Sequence, residues 1–138
     1  MRLFTPRPRY AFNTIAFFTT DNQKMVDFYC DIFGFETEWN RLDIDVEMHL
    51  DGMRILLFPR EAIEKMTRQK FTYPSGINGT MEISFDVPTF ADVDEEYERA
   101  VSMGAKSIME PTTEPWGQRT CYVADPEGNL IEISSFVA

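Results

Sequence analysis

The stretch Asp125-Pro126-Glu127-Gly128-Asn129-Leu130-Ile131-Glu132-Ile133-Ser134 joins a tight, glycine-containing turn to a run of alternating residues. A period of two places Ile131 and Ile133 on the buried face of a strand and Glu132 on the other. The same frame occurs earlier as Leu50-Asp51-Gly52-Met53-Arg54-Ile55-Leu56-Leu57-Phe58, and aligning Gly52 with Gly128 sets Leu56 against Glu132. The chain therefore reads as two copies of one unit, which differ where the second presents a carboxylate.

Working outward, each copy is completed by the same upstream order. Asn13 to Thr19 forms a first strand, and Thr20-Asp21-Asn22-Gln23 matches a T-x-x-Q capping box. Met25, Phe28, Tyr29, Ile32 and Phe33 then recur at helical spacing until Gly34 supplies the stop. Glu36 to Arg41 and Asp45 to Leu50 follow as strands, the second turning into the repeat strand through the hairpin signal Asp51-Gly52. In the second half, Thr80 to Phe85 alternates so as to bury Met81, Ile83 and Phe85 and to turn Thr80, Glu82 and Ser84 the other way. Thr89 caps a helix with the stripe Val93, Tyr97, Ala100 and Val101, ended by Gly104, and strands recur at about 107–110, 118–123 and 130–136. The expected fold class is α+β: one domain over 1–138 made of two βαβββ modules, about 11–59 and 78–137. Residues 60–77 read as a connector with a short helical patch at 61–66. Residues 1–10, with Arg2, Arg7, Arg9 and two prolines, read as an extended arm.

Composition narrows the function. At 138 residues there is room for one core rather than two ordinary domains. Thirteen basic against 23 acidic residues give a net charge of −10, which repels phosphate backbones and anionic lipid, so neither nucleic acid nor membrane is an expected partner. No apolar run approaches the roughly 20 residues of a membrane span, and the first residues lack the apolar core of a signal peptide, so a cytoplasmic location is expected. Cys30 and Cys121 form no CxxC pair and read as reduced, half-buried thiols. With His49 the only histidine, a catalytic cysteine is disfavoured.

Two βαβββ units, together with Pro115-Trp116-Gly117-Gln118-Arg119-Thr120 leading into Asp125-Pro126-Glu127-Gly128-Asn129 and Glu132, resemble the vicinal oxygen chelate superfamily. That group contains glyoxalase I, the bleomycin- and fosfomycin-resistance proteins and the extradiol dioxygenases. Phe28-Tyr29 followed by Ile32-Phe33-Gly34-Phe35 is a second family-like stretch, and the resemblance covers about residues 11–137. It implies curved sheets around a cleft with helices outside. In the metal-dependent members, four ligands enter from the first and last strands of each module. Those positions correspond here to Asn13 or Thr14, Leu56, Thr80 and Glu132, of which only Glu132 is a strong ligand. The resemblance therefore carries no cofactor to this chain by the usual donors. It leaves room for a non-standard divalent metal on Glu132 and Glu82. Glu47 and His49 join those candidates if their strand face turns inward, and drop out if it faces outward. Extradiol dioxygenase chemistry needs two histidines and a carboxylate, which one histidine does not supply.

The leading expectation is a small-molecule-binding protein whose cleft has apolar walls and polar anchors at Glu132, Glu82 and Thr80. Asn13, Leu56, Phe58, Trp116 and Tyr122 are the further ligand-binding candidates, and the acidic balance favours a cationic ligand, bleomycin-like compounds being one family-derived example. The alternative is a divergent glyoxalase-like lyase or isomerase in which Glu132 is the catalytic general base. A structural reading stands beside both, in which Glu132 pairs with Arg54 or Arg119. Trp116 serves equally as a cleft wall or as packing for its loop. A regulatory or scaffold dimer with a vestigial cleft is a third reading, and open sheet edges favour a homodimer.

Overall fold

A computed structural model describes residues 6–138, so Arg2 and the first half of the expected arm lie outside the described residues. The order is β1 (Ile15–Thr19), α1 (Asn22–Phe33), β2 (Val46–Leu50), β3 (Met53–Pro59), α2 (Arg60–Thr67), β4 (Asn78–Asp86), α3 (Phe90–Ser102), β5 (Lys106–Thr113), β6 (Arg119–Ala124) and β7 (Asn129–Ser135). Two sheets form, with strand orders β1-β3-β2 and β4-β7-β6-β5, and they do not close into a barrel. In each, the first strand runs parallel to the last, β1 to β3 and β4 to β7, while the hairpin partners are antiparallel. The mixed α+β architecture read from the repeat is the one observed.

Module two has all four strands; module one departs from the expected pattern. The strand anticipated over Glu36 to Arg41 is reduced to a single bridge between Glu36 and His49. Local bonds capture the backbone that a ladder would need: the Asn40 amide donates to Asp43 Oδ2 at 3.3 Å, the Leu42 amide to Asn40 Oδ1 at 3.0 Å, and the Asp43 amide to the backbone carbonyl of Asn40 at 2.7 Å. Such local bonds turn the chain back on itself. The cap of α1 also shifts by one residue, because Asp21, not Thr20, accepts from the Lys24 amide at 3.1 Å. Gln23 reaches Asp27 instead of closing a box. Gly34 ends α1 in the left-handed conformation, and Thr89 and Asp92 form a reciprocal box at the start of α3.

The apolar faces of both sheets and of α1 and α3 meet in one core. Tyr29, Met25, Met48, Leu57, Val93, Val123, Ile131 and Ile133 are among its fully buried members. The helices thus cover one face of each sheet. Packing crosses the modules: Phe33 of α1 stacks on Phe85 of β4 at 4.6 Å between centroids, and Arg99 of α3 donates to the Ile32 carbonyl.

The turn that reveals the repeat also ties the modules together. Buried Asp125 accepts a 2.7 Å bond from the hydroxyl of Tyr29, and it also receives the amides of Glu127 and Asn129. Burial raises the Asp125 carboxyl above its ordinary value, with the hydrogen bonds from Asn129 and Tyr29 opposing that shift. Two residues on, Glu127 spans to the start of α1. Both of its oxygens accept from the Thr20 amide at 2.8 Å, and one accepts from the Asp21 amide at 3.2 Å. This engagement of Thr20 explains why the cap falls to Asp21. Gly128 (φ +89°) is required, since a Cβ there would lie 2.0 Å from the Gly76 carbonyl oxygen.

Candidate functional site

Glu132 projects from the middle of β7, on the face turned away from the core. Its neighbours in register are Tyr122 on β6 and Ser84 on β4. Neither arginine expected beside it pairs with it: Arg119 pairs with Asp94 at 2.7 Å and Arg54 with Glu47. Hydroxyls surround it instead. Thr120 donates to Glu132 Oε2 at 2.7 Å and Ser84 to Oε1 at 2.8 Å, with the Tyr122 hydroxyl 3.2 Å and the Gln118 amide 3.5 Å from Oε2. Glu82 joins the same cluster, its two oxygens 2.7 Å from Ser84 Oγ and 3.1 Å from the Tyr122 hydroxyl.

Burial pushes the Glu132 carboxyl up, but hydrogen bonds from Thr120, Ser84 and Tyr122 outweigh it together and hold the group below its ordinary value. Tyr122 is driven well above the usual tyrosine range by burial first and then by the Glu132 and Glu82 charges, so it remains a proton donor. Ser84 and Tyr122 each own one proton, and each lies within bonding range of both carboxylates. Four contacts share two protons, so the pair can accept further N–H donors.

The predicted site residues separate into groups. Glu132, Glu82 and Tyr122 come together, and Trp116 joins them indirectly, its indole N–H donating at 2.9 Å to Gln118. Thr80 stands apart. An irregularity in the β4 ladder between Asn78 and Glu82 breaks the alternation, so Ser84 rather than Thr80 lies opposite Glu132, and Met81, expected in the core, is exposed. Thr80 instead helps line an apolar cleft of about 400 Å³ between β1 and β4, with Ala16, Phe18, Phe71 and Tyr73. Leu56 and Phe58 sit on the open face of the first sheet, opposite Ala16 and Phe18. Asn13 accepts from Arg54 at 3.1 Å on that side. Glu47 and His49 lie 3.7 Å apart on exposed positions of β2. A separate concavity of about 910 Å³ lies over β2 and the 37–45 loop and holds none of the Glu132 cluster.

Ser84 and Thr120 were not singled out from sequence as site residues. Their signal was the strand register, which alternation alone does not reveal once a strand is irregular. Cys121 is buried behind the sheet, its thiol pushed up to about 11 by burial, so it is no nucleophile.

The donor set decides how a metal would fare. In the observed register the paired positions of the first and last strands on the faces turned away from the core are Ala16 with Leu56 and Ser84 with Glu132. Two of these side chains carry no donor atom. Among the described residues, no group of three or more His, Cys, Asp or Glu side chains is placed to hold one ion. These residues do not fit the usual four-ligand centre.

No curated protein matches the chain. Solved structures do. A glyoxalase/bleomycin resistance protein/dioxygenase family enzyme from Burkholderia phytofirmans PsJN is 29% identical, with a TM-score of 0.79 over 91% of this chain and 98% of that one. A glyoxalase/bleomycin resistance protein/dioxygenase from Nocardioides (22% identical, TM-score 0.78, 96% and 87% covered) shares the fold. So does a lactoylglutathione lyase from Agrobacterium tumefaciens (21%, TM-score 0.70, 93% and 95%). A family model matches residues 11–133. With the two-module fold and this match over most of its length, the chain belongs to the glyoxalase/bleomycin resistance protein/dioxygenase superfamily.

Proposed function

We propose that the protein binds a small organic cation without the superfamily's usual metal centre. Glu132 and Glu82 are its anchors, Tyr122 and Trp116 its aromatic walls. The observation that carries this reading is the shortage of protons around the two carboxylates. An ammonium or amidinium group supplies N–H donors and compensating charge at once, and charge-assisted bonds of that kind are the stronger class. Thr80 and the apolar cleft between β1 and β4 offer a second contact region for the rest of such a molecule.

The lyase or isomerase reading needs Glu132 as a base. A carboxylate held below its ordinary value is a weaker base than an unperturbed one, so the hydrogen bonds that favour an anchor disfavour proton abstraction. The open sheet edges support a homodimer.

Titration calorimetry with a panel of arylamidinium and alkylammonium compounds and their neutral isosteres tests the reading. Cationic members should bind equally with and without chelator, and Glu132→Gln should weaken them roughly tenfold or more. Equal binding of neutral isosteres, or an unchanged affinity in Glu132→Gln, refutes it.

A further inference from the structure

Residues 6–12, ahead of β1, carry Arg7 and Arg9 and no carboxylate, in a chain whose net charge is −10. All seven are exposed, and the rings of Tyr10 and Phe12 remain 80% and 82% accessible. Pro6 and Pro8 favour an extended course and remove two amide donors. Both aromatic rings therefore stand largely in solvent.

A surface of opposite character lies over β2. The 37–45 loop, which replaces the expected strand, leaves an open groove of about 910 Å³. Glu36, Glu38, Asp43 and Asp45 line it, with no lysine or arginine among the lining residues. Trp39 lies among these acids, and Leu42 and Ile44 expose apolar surface beside it, Leu42 being 90% accessible. Acidic rim and apolar floor complement a segment that alternates arginines with aromatic rings.

The arm departs close to this groove. Asn13 is held by Arg54, and Arg54 pairs with Glu47 at the groove's edge. The rings of Tyr10 and Phe12 nevertheless stand in solvent, and no residue of 6–12 is among those lining the groove. A neighbour related by a two-fold axis would bring each arm to the other's groove, and such a contact closes on itself. We propose that residues 6–12 of one copy dock in the Trp39 groove of a second copy, forming a symmetric dimer by exchange of arms. This rests on the homodimer suggested above and names the surfaces that hold it.

Sedimentation equilibrium on the full chain tests it, with three variants: arm reversal (Arg7→Glu with Arg9→Glu), groove reversal (Glu38→Lys with Asp45→Lys), and the two combined. The full chain should dimerise at low salt and dissociate near 1 M salt, where the Debye length falls to about 3 Å. Each reversal should raise the dissociation constant roughly tenfold or more, and the combined variant should recover dimerisation. A full chain that stays monomeric refutes the dimer and the arm contact together. A dimer indifferent to both reversals retains the dimer and overturns the arm exchange. In a Trp116→Phe background Trp39 reports on the groove; if arm reversal shifts its fluorescence in a monomer, the arm occupies its own groove and exchange is overturned.

Discussion

Glu127→Ala should loosen the joint between the two modules more than any surface substitution. The Glu127 side chain is 7% exposed, and its carboxylate accepts from the Thr20 amide and hydroxyl and from the Asp21 amide, with Arg60 3.7 Å away. Truncation leaves two amides without an acceptor and removes the charge facing Arg60. An orphaned buried donor costs about 1–3 kcal/mol, and loss of one partner from a buried ion pair costs about 3–5 kcal/mol. Thr20 is itself exposed, so water replaces part of what is lost. The expected net destabilisation is about 2–3 kcal/mol, a large share of the about 5–15 kcal/mol typical of a domain, and lowers Tm by about 10 °C. Glu127→Gln keeps a carbonyl acceptor and should lose about half as much. Urea denaturation followed by circular dichroism measures both, and hydrogen exchange at the Thr20 and Asp21 amides localises the effect. A loss below about 0.5 kcal/mol in Glu127→Ala, the range of ordinary surface substitutions, would refute the clamp.

Three further outcomes follow from the same geometry. Tyr29→Phe withdraws a hydroxyl from Asp125 and should cost about 1–3 kcal/mol at neutral pH. Because the folded Asp125 carboxyl already titrates above its ordinary 3.8 and would rise further, the deficit in urea denaturation should shrink as pH falls through that folded value; a pH-independent deficit contradicts the assignment. Gly128→Ala places a Cβ against the Gly76 carbonyl at positive φ and should destabilise by about 2–4 kcal/mol by thermal melting, whereas Gly52→Ala, which meets no atom within 4 Å, should cost clearly less. For the ligand site, the lowered Glu132 carboxyl keeps its charge as pH falls, so the affinity for an organic cation should stay level from neutral pH down to about 4.5 and fall only below; a decline beginning near pH 6 in calorimetry would contradict it.

Much of the architecture was legible because it depends on local chemistry. Asp51-Gly52 and Gly128 marked turns, Gly34 marked a helix end, and Thr89 marked a helix start; all four act where they were read. The missing strand after α1 was not legible, since Asn40 and Asp43 bind their own backbone only once the loop has formed. The site was half legible. Alternation exposed Glu132, but the choice of Ser84 over Thr80 as its neighbour depends on an irregularity in the pairing of β4 with β7. Arg54 and Arg119 were reasonable partners for Glu132 by charge, yet each finds a carboxylate nearer in space.

Taken alone, the sequence determined the repeat, the fold class and the presence of one outward-facing carboxylate. These follow from periodicity and turn chemistry, which reach only a few residues along the chain. Tertiary structure decided what that carboxylate touches and what the turn before it does. Asp125 and Glu127 bond to Tyr29, Thr20 and Asp21, about a hundred positions away, and hydroxyls from two strands, β4 and β6, converge on Glu132. Such contacts depend on sheet register and on the packing of one module against the other, and no local pattern encodes either.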